Sequence, residues 1–192
     1  MPAKTETKSE TRINGVPVNT IVESIEALKT EPRLGESHFR ATNRWIDGAN
    51  NRTKIQGFFA LGGEDTSRKE PFVFDNDEPP ALGGENRGAN PVEFVLHGLA
   101  GCITTTLVYY AAAQGIELEE VESSLEGDID LRGLLGVAPV NPGYQGIRIN
   151  VRVKSNAPEK KIRELIHLAQ SRSPVVNTVA KPVPITVTLE KQ

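Results

Sequence analysis

A single domain of mixed helices and antiparallel strands is what the sequence predicts, on three observations. Ile147, Ile149, Val151 and Val153 alternate without a break with Arg148, Asn150, Arg152 and Lys154, the pattern of a strand with one wet face. Residues 95–113 read VLHGLAGCITTTLVYYAAA, a helix-length run that is apolar on nearly every side. Ile162, Leu165, Ile166 and Ala169 share one stripe, which marks a second, amphipathic helix.

In chain order, the polar and mixed-charge stretch MPAKTETKSETR makes residues 1–15 a disordered tail, followed by a helical extension over residues 16–36. Thr20-Ile21-Val22-Glu23 has the capping-box pattern, and Ile21, Ile25 and Leu28 follow at helical spacing, predicting a helix over about residues 20–30. Residues 37–46 and 53–60 read as two strands joined at Asp47-Gly48-Ala49-Asn50-Asn51, a segment rich in turn formers. A short strand at Phe72-Val73-Phe74 precedes a Gly-, Pro-, Asn- and Asp-rich loop that runs to Pro91, of the kind that often carries function. Beyond the apolar helix, Leu125, Ile129 and Leu131 keep one parity with Gly127 between them, so residues 125–131 read as a strand. The second helix has Pro158 in its first turn. Val183, Ile185, Val187 and Leu189 close the chain as a last strand. There is neither an internal repeat nor a second core.

Composition narrows the function. The chain has 192 residues, 38% hydrophobic and 24% charged, enough for one ordinary globular domain with its own core. A net charge of −3 and 5% aromatics give neither a basic footprint nor a stacking surface for nucleic acid. The N-terminus shows no secretory signal, and one cysteine cannot close an internal disulfide, so a reducing cytoplasm is expected. Residues 95–113 approach the length of a membrane span, but the three consecutive threonines, Gly98, Gly101 and the lack of flanking basic residues argue against one. The expectation is a helix buried on nearly all sides, which a small domain covers most readily by forming a tight dimer.

Cys102 lies inside that helix and is either packing or a lone reactive thiol. Other site types are excluded. His38, His97 and His167 with one cysteine have no zinc spacing. Glycines at 62–63, 83–84 and 133–136 form no phosphate cradle, and there is no GxSxG elbow. The carboxylates are scattered, as on solvated strand faces. No metal and no cofactor are expected.

Two motifs carry a family resemblance. Asn90-Pro91-Val92-Glu93 leading into His97-Gly98-Leu99-Ala100-Gly101-Cys102 resembles the NP(x)E…AAxxAC helix of the OsmC/Ohr family, the osmotically inducible protein C and organic hydroperoxide resistance proteins. Arg172-Ser173-Pro174-Val175-Val176-Asn177-Thr178 is similar to the family's CPxxNx segment. The resemblance covers about residues 37–190 and makes residues 37–192 an OsmC-like domain. It implies an α+β fold of antiparallel sheets packed on two central helices, with two chains intertwined as a homodimer and active sites at their interface.

It also implies roles. Cys102 matches the position of the family's peroxidatic cysteine. Ser173 occupies the position of the resolving cysteine and is expected near Cys102. A serine cannot condense with a sulfenic acid to a disulfide, which excludes an internal dithiol cycle. The family's arginine comes from the hairpin region, making Arg52 its counterpart, with Arg44 and Arg172 as further candidates. Such a cation is needed because burial alone disfavours a thiolate. Its glutamate falls ten residues before the cysteine, at Val92 here, whereas Glu93 lies nine before.

Helix geometry places Glu93 about 180° from Cys102 and on one face with His97, so it reaches the thiol only if the helix bends at Gly98 or Gly101 or if it serves another chain. Otherwise Glu93 simply favours the helix dipole. His97 lies about 140° from Cys102, too far round the helix for a same-chain base. Val95, Gly98, Leu99, Thr105, Thr106 and Tyr109 share the face of Cys102, an apolar wall suited to a hydroperoxide with an alkyl or acyl tail.

Two functions follow. One is a one-cysteine peroxidase in oxidative-stress defence that reduces organic hydroperoxides at Cys102 and is restored by an external thiol. The other is non-enzymatic binding of a hydrophobic small molecule in the dimer-interface pocket, with Cys102 as packing. Neither reading requires nucleic acid or membrane as a partner.

Overall fold

A computed structural model of the chain describes residues 10–191. They fall into two compact units, one of residues 10–11 and 17–95, the other of residues 12–16 with the chain from 96 onward. β1 (Arg12–Ile13) and β2 (Val16–Pro17) are joined at Asn14-Gly15, both with positive φ. A disordered tail is expected from the sequence as far as residue 15, but residues 12–17 form this hairpin; residues 1–9 lie outside the described residues. Asn14 pairs with the backbone much as a strand residue would, its Nδ2 donating to the Ile116 carbonyl at 2.9 Å and its Oδ1 accepting from Leu118 N at 2.8 Å.

In the first unit, α1 spans Val18–Thr30 and starts at Pro17 without a side-chain cap, so the Thr20…Glu23 pattern does not act as a capping box. Both predicted strands of the first hairpin break in two. β3 (His38–Phe39) and β4 (Thr42–Asp47) replace the first, and β5 (Asn50–Ile55) and β6 (Phe58–Ala60) replace the second, with β7 (Gly63–Asp65) added. β8 is Phe72–Asn76, antiparallel to β5. Interruptions at residues 40–41 and 56–57 let one long hairpin serve two sheets, β3-β6-β7 and β4-β5-β8.

The loop after β8 is wound around Asp77, which is 3% exposed. Its carboxylate accepts the backbone N–H groups of Glu78 at 2.9 Å, Glu85 at 3.1 Å and Arg87 at 3.0 Å. These donors, led by Arg87, hold Asp77 below the usual carboxylate range despite its desolvation. A Cβ at Gly84 or Gly88 would strike the carbonyls of Glu78 or Asp75, so both positions need glycine. A carboxyl whose pKa is depressed by folding adds stability above its unfolded value, about 4, and that stability is lost as pH falls through the folded value. Asp77→Asn is therefore expected to lower the melting temperature at neutral pH and to flatten its fall in acid, as thermal melts across acidic pH would show. An unchanged acid limb would contradict this role.

The second unit carries α2 (Pro91–Ala113), whose first turn belongs to the first unit, then β9 (Glu120–Ile129), a short α3 (Leu131–Leu134), β10 (Tyr144–Lys154), α4 (Glu159–Arg172) and α5 (Pro174–Ala180). The predicted strand at 125–131 starts five residues earlier and stops at Ile129. Asp130 caps α3 by accepting the Arg132 N–H, which takes Leu131 out of the sheet. Pro158 is the N-cap of α4. β9 and β10 pair antiparallel, Leu125 opposite Ile149 and Val121 opposite Val153. Their wet face is a ladder of ion pairs, Arg148 to Glu126 and Asp128, and Arg152 to Glu122. Gly127 leaves room for the Tyr144 ring, which a Cβ would meet at 2.5 Å.

The core of this unit is Leu107 and Ala111 of α2 against Leu165 and Ala169 of α4, with Val151, Val153 and Ile162 around them. On α2 the buried residues Leu99, Ile103, Leu107 and Ala111 recur every four positions, with Ala112 beside them. Burial of α2 within one chain is thus one-sided rather than complete. The predicted C-terminal strand is absent: residues 181–191 form no strand, and Ile185, Val187 and Leu189 are 86–90% exposed. An alternating segment becomes a strand only when a neighbour pairs with its backbone.

Candidate functional site

The site grows from two helix ends. α4 finishes at Arg172, and α5 starts at Pro174, where the missing N–H costs nothing. Ser173 stands between them with φ −64° and ψ 119°, the N-cap of α5. Its N–H closes α4 on the Ala169 carbonyl at 2.9 Å, and its Oγ accepts from Val176 N at 3.3 Å. The same Oγ donates to Cys102 Sγ at 3.0 Å. Ser173 is fully buried, and Cys102 is partly buried. The residue at the second motif and the lone thiol are therefore partners within one chain.

The hydroxyl thereby directs its single proton at sulfur, and its acceptance from Val176 N–H strengthens it as a donor. Thr106 turns its hydroxyl to the Cys102 carbonyl at 2.7 Å, an ordinary helix back-bond.

The other sequence-predicted residues have these places. Glu93 completes a reciprocal capping box at the start of α2: its Oε2 accepts from Asn90 N at 2.8 Å, while Asn90 Oδ1 accepts from Val92 N at 2.9 Å. Arg52 grips Asp75 at two points, 2.6 and 3.0 Å, which raises the guanidinium's pKa and lowers that of the carboxyl. Arg44 faces Arg52 across β4 and β5. Arg172 is exposed in the last turn of α4, where a cation complements the helix dipole. Val95 and Gly98 are half-buried, and Val175 lies over Gly98. Leu99 is buried on the inner stripe.

The same unit holds an apolar cleft of about 440 Å³, lined by Leu99 and Ile103 of α2, Tyr144, Ile147 and Ile149 of β10, and Val176 of α5, among others; Cys102 and Ser173 are not in its lining. The strand alternation implied one apolar face on β10 but not that α5 would form a wall opposite it. Among the described residues, no group of three or more His, Cys, Asp and Glu is placed to hold a metal. Asn177 sits in the second motif without a role assigned from sequence. Its side-chain amide ties the chain around Ser173, donating to the carbonyls of Ser171 at 3.0 Å and Ser173 at 2.9 Å.

The OsmC-like protein family model matches residues 84–188, more than half of the chain. The chain belongs to the OsmC-like family. Its fold is shared with solved OsmC-like structures. One is the OsmC-like protein from Mycoplasma pneumoniae, at TM-score 0.54 and 19% identity, covering 74% of this chain and 86% of that one. Another is the organic hydroperoxide resistance protein OsmC from Legionella pneumophila, at TM-score 0.52 and 20% identity, covering 73% and 89%. A third is an OsmC-like protein from Vibrio cholerae, at TM-score 0.51 and 13% identity, covering 74% and 94%. At these identities the likeness is one of fold. No curated protein matches the chain. Both elements of the pair, α2 with Cys102 and the α4–α5 junction with Ser173, fall inside the OsmC-like match.

Proposed function

We propose that this OsmC-like protein is a one-cysteine peroxidase acting on organic hydroperoxides. The observation that carries the reading is the buried Ser173 hydroxyl donating to Cys102 Sγ at 3.0 Å. In this chemistry the Cys102 thiolate attacks the terminal oxygen of ROOH. The O–O bond breaks, RO⁻ leaves and takes a proton to become the alcohol, and Cys102 becomes a sulfenic acid. Ser173 donates to sulfur before and after the step. An external thiol then condenses with the sulfenic acid, releasing water and leaving a mixed disulfide. A second thiol releases Cys102 and departs as a disulfide.

The direct test is turnover of cumene hydroperoxide with dithiothreitol as reductant. Peroxide loss that depends on both protein and dithiol supports the reading, and loss no faster than dithiol alone overturns it. The proposal assigns support of the thiolate to an arginine: of Arg44→Met, Arg52→Met and Arg172→Met, the variant that slows turnover identifies it, and three unchanged variants would remove an arginine from the mechanism. A second reading, binding of a hydrophobic small molecule with Cys102 as packing, is favoured by the apolar cleft. It predicts ligand affinity that is indifferent to Cys102→Ser.

The working form in this proposal is a homodimer. One-sided burial of α2, Phe39 at 75% and Trp45 at 69% exposure, and the exposed alternating segment 183–189 leave apolar surface that a second copy would cover. Sedimentation is expected to give a dimer at micromolar protein. A folded monomer there would contradict it.

A further inference from the structure

The Ser173 hydroxyl carries one proton, and its usefulness to Cys102 depends on that proton being held toward sulfur. Ser173 is the single residue between α4 and α5, so its side-chain direction follows the junction's backbone. Asn177 fixes that backbone from the C-terminal side. Its N–H donates to the Ser173 carbonyl at 3.1 Å, as a helix requires, and its Nδ2 donates to the same carbonyl at 2.9 Å. The same Nδ2 reaches the Ser171 carbonyl at 3.0 Å, one of the last carbonyls of α4, which helix geometry leaves without a partner in the helix. One amide thereby clamps the end of one helix to the start of the next. The amide is itself oriented: Oδ1 accepts from Lys181 Nζ at 2.7 Å, which leaves Nδ2 facing the two carbonyls.

We infer that Asn177 is a positioning residue that sets the reactivity of Cys102 through Ser173, with Lys181 orienting its amide. The inference rests on the proposed thiol chemistry for its purpose, but its test does not use peroxide. A staple serving only stability would leave the thiol unchanged in any variant that still folds.

The experiment uses the full chain and follows alkylation of Cys102 by iodoacetamide as a function of pH. Native protein, Ser173→Ala, Asn177→Ala and the double variant are compared, each checked for folding by circular dichroism. Ser173→Ala is expected to slow alkylation at neutral pH about tenfold, the loss of one hydrogen bond to a charged group, and to move the profile to higher pH. Asn177→Ala is expected to move it in the same direction, with a slowing of about threefold, because the donor is loosened rather than removed. In the Ser173→Ala background, Asn177→Ala should change nothing further. A native profile in Asn177→Ala, or effects of the two substitutions that simply add, would overturn the inference. Should Asn177→Ala not fold, Lys181→Met at the exposed end of the chain of contacts is the readout: a smaller shift in the same direction supports the inference, and no shift overturns it. Coupling between positions 173 and 177 in a protein that forms no sulfenic acid would retain this inference while removing the peroxidase reading.

Discussion

Replacing Ser173 with cysteine is expected to yield, after mild peroxide treatment, a disulfide between positions 102 and 173. The Ser173 Oγ already stands 3.0 Å from Cys102 Sγ, and a disulfide needs its sulfurs at about 2.05 Å, so closure requires roughly an ångström of adjustment at the junction of α4 and α5. The cysteine would sit where its thiol meets a new sulfenic acid at once. Cys102 should then resist over-oxidation to the sulfinic acid, because capture by a neighbouring thiol precedes a second encounter with peroxide. The bond would close a loop across a sequence separation of 71 residues, for which chain entropy gives a stabilisation on the order of 4 kcal/mol. Intact mass after alkylation under non-reducing conditions reads the outcome. Two alkylated thiols after peroxide treatment would show either that the pair cannot close or that Cys102 is not oxidised.

Cys102→Ser is expected to have the largest effect on activity, reducing peroxide turnover to that of the dithiol alone, a loss of roughly three powers of ten or more for a covalent nucleophile. The substitution keeps size and hydrogen bonding, so the introduced hydroxyl would still accept from Ser173 and the α2–α4 core would remain packed. A normal melting temperature with no turnover places the loss in the chemistry. Turnover retained by the serine variant would move the reaction elsewhere in the molecule.

Much of this was legible in the residues, for identifiable reasons. The strand alternation of residues 147–154 and the stripe Ile162, Leu165, Ile166, Ala169 are local patterns, and both became elements at the expected places. The pairing of Ser173 with Cys102 spans 71 residues and has no local signal; it came from motif resemblance alone. What stayed hidden depends on partners rather than on pattern. The hairpin strands split at Arg40-Ala41 and Gln56-Gly57, where both ladders are interrupted, a break that shows only once the two strands are paired. Val183, Ile185, Val187 and Leu189 alternate as a strand would, yet no neighbour among the described residues pairs with them. Thr20…Glu23 and Asn90…Glu93 carry the same capping signature, and only the second is used, because Pro17 begins the first helix before Thr20. Asp77 was one acid in a polar loop; its burial and its three backbone donors are set by how that loop closes.

The most direct test of the central claim is trapping of sulfenic acid in the native protein, using one equivalent of cumene hydroperoxide in the presence of dimedone, read by intact and peptide mass. The account predicts a single dimedone adduct on Cys102, lost in Cys102→Ser and formed more slowly in Ser173→Ala. Native protein whose mass is unchanged by peroxide would contradict it.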